Sequence, residues 1–101
     1  MYTLDYAPQF LRAVKRCKQQ GKDLSLLWDT VQMLMTEGRV PESYDPHELE
    51  REYAGYYECH MEDDWLLVWK QNDYKLTLVL YDTGTHLELF HKKYKLIKKK
   101  A

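Results

Sequence analysis

A histidine and an aspartate, both able to carry or accept a proton, stand four positions apart in Cys59-His60-Met61-Glu62-Asp63-Asp64-Trp65. Strand-like runs over 53–58 and 66–70 flank this stretch, and a three-residue loop over 61–63 would join them as a hairpin. In that hairpin His60 and Asp64 lie opposite one another on one face, with Cβ atoms roughly 5 Å apart. The carboxylate then fixes the tautomer of the ring, and the pair is a unit for moving protons. On this stretch alone, a surface His–Asp pair at a polar hairpin tip is the simpler reading.

The other histidines are His47, His86 and His91, with Phe90 four residues after His86. Three of the four histidines follow turns that border the expected sheet. Such a set suits cleavage of RNA without a metal ion. The 2′-hydroxyl must lose a proton to attack the adjacent phosphate, and the leaving 5′-oxygen must gain one. Two groups that titrate near neutrality can do both. A nearby aromatic ring can hold a base by stacking, worth about 1–3 kcal/mol.

Periodicity predicts the elements that must position these groups. Tyr2, Leu4 and Tyr6 alternate with Thr3 and Asp5 as a short strand. Phe10, Leu11, Val14 and Cys17 form an apolar helical stripe behind Pro8, and Gly21 ends that helix. Asp23 caps a second helix carrying Leu24, Leu27, Trp28, Val31, Leu34 and Met35, closed by Gly38 and Pro41. The short turn between the helices predicts an antiparallel hairpin. Residues 39–52 read as a surface loop holding His47. Runs over 53–58, 66–70, 76–81 and 86–90 then read as an antiparallel meander, with Thr83-Gly84-Thr85 as a tight turn before the last strand. The order βααββββ predicts an α+β fold, with the helical hairpin on one face of a mainly antiparallel sheet.

A chain of 101 residues fits one domain, here 1–90, followed by a Lys-rich tail over 91–101. No apolar run nears the roughly 20 residues of a membrane span, and the first residues lack a signal-peptide layout. Cys17 and Cys59 form no close pair and read as reduced thiols of a cytoplasmic protein. The net charge of −1 conceals a segregation, since the tail holds six Lys and no acid. A second basic group, Arg12, Lys15, Arg16, Lys18 and Lys22, follows the first helix. Arg12, Lys15 and Arg16 are thus candidates to meet the phosphates of a polyanion.

Three stretches together carry a resemblance: His47-Glu48-Leu49, Gly55 through Trp65, and Thr83-Gly84-Thr85-His86-Leu87-Glu88-Leu89-Phe90. In order and spacing they resemble the YafQ branch of the RelE/ParE toxin superfamily, over roughly 1–90. The resemblance implies a RelE-like fold and a bacterial type II toxin, a ribosome-dependent endoribonuclease that cuts mRNA without a metal or other cofactor. It also implies a DinJ/RelB-like antitoxin, with operator DNA bound only through the antitoxin complex, and no membrane partner. Carried over, the catalytic residues are His47, His60, Asp64 and His86, and the stacking aromatic is Phe90. The expected roles are His86 as general acid, Asp64 with His60 on the base side, and His47 against the phosphate charge. His91 has no counterpart.

The chain departs from the family at Asp82, where an Arg usually precedes the Thr-Gly-Thr-His. A carboxylate there would repel the phosphorane that an Arg would stabilise. The family's Trp stands here as Tyr53, and a loop Gly as Arg51, whose guanidinium is a candidate replacement for the lost positive charge. A catalytically weakened or non-nuclease protein of the same RelE/ParE fold, acting by binding antitoxin or another target, is the alternative. A metal site from Cys59, His60, Asp64 and His86 is weaker, because zinc ligands usually come closely spaced.

Overall fold

The computed structural model describes residues 1–90, apart from the side chain of Phe90. The expected tail, including His91, lies outside the described residues. Strand β1 (Thr3–Tyr6) leads into helix α1 (Pro8–Gln19), and helix α2 (Leu24–Glu37) follows after a short turn. Pro8 opens α1 where no backbone N–H is needed. Phe10, Ala13 and Cys17 are buried at helical spacing, while Arg12 and Lys15 face solvent. Asp23 caps α2 by accepting a hydrogen bond from the Ser25 N–H at 3.0 Å. Gly38 ends it in the left-handed region at φ +73°. Any side chain at Gly38 would also strike Tyr2, whose hydroxyl lies 2.6 Å from where a Cβ would stand.

The sheet strands are β1, β2 (His47–Glu48), β3 (Tyr56–Glu62), β4 (Trp65–Asn72) and β5 (Thr77–Gly84). Their spatial order is β1-β5-β4-β3-β2. All neighbours run antiparallel except β1 and β5, which are parallel, with Leu4 beside Leu78. The fold is α+β, with α1 and α2 on one face of a mainly antiparallel sheet, as the periodicity predicts. β4 is central and buried on both faces. Trp65, Leu67 and Trp69 join Phe10, Cys17, Leu27, Val31 and Leu34 in the helix-side core. Leu66 and Val68 join Leu49, Tyr53 and Leu89 in a smaller cluster on the opposite face.

Two elements differ from expectation while leaving the strand count unchanged. His47 and Glu48, expected in a loop, add a two-residue edge strand beside Glu58 and Tyr57. Residues 86–90, expected as a strand, form the short helix α3 (His86–Phe90). Thr83 and Gly84 belong to β5 rather than to a turn. The reason is a reciprocal cap: Thr85 Oγ1 accepts from the Glu88 N–H at 3.1 Å, and Glu88 Oε1 accepts from the Thr85 N–H at 2.8 Å. Thr-x-x-Glu is a capping box, and it turns the chain into a helix as β5 ends.

Candidate active site

The β3–β4 hairpin is tighter than its sequence suggests. Glu62 pairs with Trp65, so Asp63 and Asp64 form the turn, and the register shifts between His60 and Glu62. His60 therefore pairs with Leu66, and Asp64 does not stand opposite it. The expected His60–Asp64 pair is replaced by another. Asp64 Oδ1 accepts from the Nδ1–H of His86 at 2.6 Å and from the His86 backbone N–H at 2.8 Å. Those two bonds, the backbone one foremost, hold the Asp64 carboxyl below the ordinary carboxylate range. The capping box is what places His86 in the first turn of α3, where its N–H points to Asp64 rather than into the helix ladder.

His60 reaches the same point from β3. Its Nε2 lies 3.2 Å from Nε2 of His86, with ring centroids 5.2 Å apart. Since a carboxylate only accepts, His86 carries its proton on Nδ1. The order is thus Asp64, His86, His60, joined through both nitrogens of His86. Asp64 supports His86, which corrects its expected place beside His60.

His47 lies along the same sheet face. It pairs with Glu58, two residues before His60 on β3, and its Nε2 is 3.7 Å from Glu58 Oε2. Its Nδ1–H donates to the Asp45 backbone carbonyl at 3.1 Å. The edge strand therefore brings His47 alongside the pair without placing it in the His60–His86 contact.

Asp45 was not singled out by sequence reasoning, which took residues 39–52 as a surface loop. It ends a 3-10 turn over Glu42–Tyr44 and has φ +52°. Its Oδ2 is 3.9 Å from Nδ1 of His60. The signal was the register: continuing the β2–β3 pairing past His47 sets position 45 opposite His60.

The other candidates fall into distinct settings. Arg12 and Lys15 are exposed on α1. Arg16 is tied into the fold: its Nη2 donates to the Thr83 carbonyl at 2.7 Å, and its Nε is 3.3 Å from Glu88. Gly84 makes room for that tie, because a Cβ there would lie 2.7 Å from both Arg16 Nη2 and Glu88 Oε1. Burial pushes the Glu88 carboxyl up, but bonds from Thr85 and Gln20 and the Arg16 charge outweigh it and hold it low. Arg51 is exposed at φ +60°, in a conformation that favours glycine. The Phe90 side chain lies outside the described residues.

Asp82, which stands where the family usually has Arg, is turned into the fold. Its carboxylate is fully buried, with Oδ2 accepting from Gln9 Nε2 on α1 at 3.1 Å and Oδ1 from the Thr83 N–H at 2.8 Å. A bulge in the β4–β5 pairing between Val68 and Trp69 accompanies this placement on the helix side. The Asp82 carboxylate is thus engaged within the fold by Gln9 and the Thr83 backbone. Cys59 is likewise buried in the helix-side core, where burial pushes its thiol up to about 12. It is on the wrong side of β3 to share a metal ion with His60.

Known proteins share this arrangement of chain. The family profile described as "Bacterial toxin of type II toxin-antitoxin system, YafQ" matches residues 2–91. The chain belongs to the YafQ toxin family. A YafQ relative from Escherichia coli (strain B / BL21-DE3), named mRNA interferase toxin YafQ, is 35% identical over 86% of this chain and 94% of its own. YafQ in the crystal structure of the E. coli DinJ–YafQ complex superposes with a TM-score of 0.82 at 32% identity, over 89% of this chain and 99% of that one. A metal-bound toxin from Helicobacter pylori superposes at 0.79 and 34% identity, over 88% and 99%. Among the described residues of this YafQ-family chain, no helix is long and apolar enough to cross a membrane.

Proposed function

We propose that this toxin is an endoribonuclease, a ribosome-dependent mRNA interferase that cuts by metal-independent acid–base catalysis. The observation that carries the reading is the approach of two imidazole Nε2 atoms, from His60 and His86, to 3.2 Å, backed by Asp64. The name of the E. coli relatives, mRNA interferase toxin, supports the same activity.

In-line attack needs a base on the 2′-oxygen and an acid on the 5′-oxygen, on opposite sides of the phosphorus. With one proton added to the pair, His86 carries both N–H groups, one held by Asp64 and one aimed at His60. That makes His86 the acid and His60 the base. A phosphate cannot enter a 3.2 Å gap, so one ring turns aside as substrate binds. His86 is anchored through both its ring and its backbone, so His60 is the ring that moves. His47 neutralises charge on the phosphate from the edge strand. Phe90 stacks on a base, and Arg51 is a second source of positive charge. Arg12 and Lys15 meet ribosomal phosphates, with Arg16 assigned to the same basic helix. A DinJ/RelB-like antitoxin is the partner that neutralises the toxin, and the compartment is the bacterial cytoplasm.

The test is induction of the wild type beside His86→Ala, with mapping of cut mRNA ends, and cleavage on purified ribosomes with a chelator added. Growth arrest, 2′,3′-cyclic phosphate ends and activity that survives chelation are expected. Removing a general acid costs about 10²–10⁴-fold in rate. Cuts that leave 5′-phosphate ends would rule out 2′-hydroxyl attack. Arrest that persists in His86→Ala would favour a non-nuclease toxin, and loss of cleavage with chelator would make the enzyme metal-dependent.

A further inference from the structure

The Nδ1 atom of His60 is buried and has no hydrogen-bond partner among the described residues. A buried polar nitrogen left unpaired is costly, so its surroundings bear inspection. The nearest acidic atom recorded is Asp45 Oδ2 at 3.9 Å, about 1 Å beyond hydrogen-bonding distance. The Asp45 side chain is 76% exposed and free to swing across that gap. Its backbone is fixed: φ is +52°, its N–H donates to the Glu42 carbonyl at 2.9 Å, and its own carbonyl holds His47.

The proton inventory says what that carboxylate does. With His86 protonated on Nδ1, a neutral His86 offers only a lone pair at Nε2. His60 must then place its own proton on Nε2 to make the 3.2 Å contact, and its Nδ1 is a bare lone pair. That tautomer cannot act as a base through Nε2. For His60 to accept a proton there, its proton must sit on Nδ1, and a group must receive that Nδ1–H.

We propose that Asp45 is a positioning residue for His60: its carboxylate accepts the Nδ1–H of His60 and selects the tautomer whose Nε2 is free to act as base. The site is then a run of carboxylate, imidazole, imidazole and carboxylate, Asp64–His86–His60–Asp45, with each ring held at Nδ1 and turned inward at Nε2. When the pair holds one extra proton, it sits on His86 Nε2 and points at the His60 lone pair. When His60 takes the hydroxyl proton, the resulting cation keeps both N–H groups, the outer one on Asp45. The groups that face His60 are His86 from α3, Asp45 from the segment before β2, and Glu58 on the same face of β3; Asp64 acts through His86.

This inference rests on the ribonuclease reading for its catalytic consequence, though not for its geometry. Asp45→Gly removes the carboxylate, suits the positive φ and keeps the carbonyl for His47; Asp45→Asn keeps the side-chain shape and controls for added backbone freedom. The readouts are ¹⁵N NMR shifts of the His60 ring, which report its tautomer, and turnover on ribosome-bound mRNA. Wild type should carry the His60 proton on Nδ1. Asp45→Gly should move it to Nε2 and lower kcat about 10- to 100-fold with KM little changed. Asp45→Asn should fall between the two. An unchanged His60 tautomer in both variants would overturn the proposal, as would full turnover in Asp45→Gly. A tautomer change in a protein whose wild type cuts no RNA would support the Asp45 contact and sink the ribonuclease reading instead.

Discussion

The two faces of the sheet are built on opposite terms. The helix-side face buries three β4 residues, Trp65, Leu67 and Trp69, beneath both helices. The other face has a small apolar cluster, covered by loop residues Leu49 and Tyr53 and by Leu89 of the five-residue α3. Beside that cluster lie His47, Glu58 and His60. The thick side holds the sheet's shape, and the thin side leaves polar groups in reach of solvent and of a substrate. Rigidity and chemistry are thereby separated by one layer of strands, and neighbouring residues on β4 report on different halves of the molecule.

Leu66 and Leu67 give the sharpest test, since both are fully buried, adjacent and of one type. Leu→Ala at a buried site costs about 2.7–5 kcal/mol, depending on how far the site collapses. Leu67→Ala should fall at the upper end and Leu66→Ala at the lower end, measured by urea denaturation. Equal losses would mean that the thin face is packed as firmly as the thick one.

A smaller effect should come from Asp64→Asn, which weakens the tie between the hairpin turn and α3. The Asp64 carboxyl titrates lower in the folded chain than its unfolded value of about 3.9. Its contribution is therefore full above that value and is lost as pH falls through the depressed one. The group is 63% exposed, so the gap should be about 1 kcal/mol or less at pH 7. It should close as pH falls below about 4 in parallel denaturation curves. A gap independent of pH would assign the stability to something other than the charge.

The smallest shift is expected at Arg51. A left-handed backbone costs a side-chain-bearing residue about 1–2 kcal/mol, and glycine's added chain freedom offsets roughly 0.5–1 of that. Arg51→Gly should raise the melting temperature slightly, while lowering cleavage if the guanidinium meets the phosphate. A fall in melting temperature would show that Arg51 makes a stabilising contact on the thin face.

The thick side was the more legible in sequence. Phe10, Cys17, Leu27, Val31 and Leu34 repeat at helical spacing, and burial on one face is what imposes that repeat. The thin side depends on local chemistry that periodicity does not record. Leu87 and Leu89 alternate as a strand would, yet the Thr85–Glu88 cap overrides that alternation within one turn. The tight turn at Asp63 and Asp64 took Asp64 out of register with His60, and hydrophobic pattern carries no mark of where a hairpin reverses. His60, His86, His47 and Asp64 were all named from the sequence, but their partners were not. Asp45 was missed because its role depends on a two-residue edge strand too short to have a period.

The parallel pairing of β1 with β5 sets the order in which this protein can mature. Each of residues 3–6 is made 74 positions before its partner in 77–80. Such distant pairings form slowly and late. The same strand β5 runs directly into the helix that bears His86, so β1 docks only when His86 is also about to emerge. A chain interrupted before β5 therefore lacks both the partner of β1 and His86.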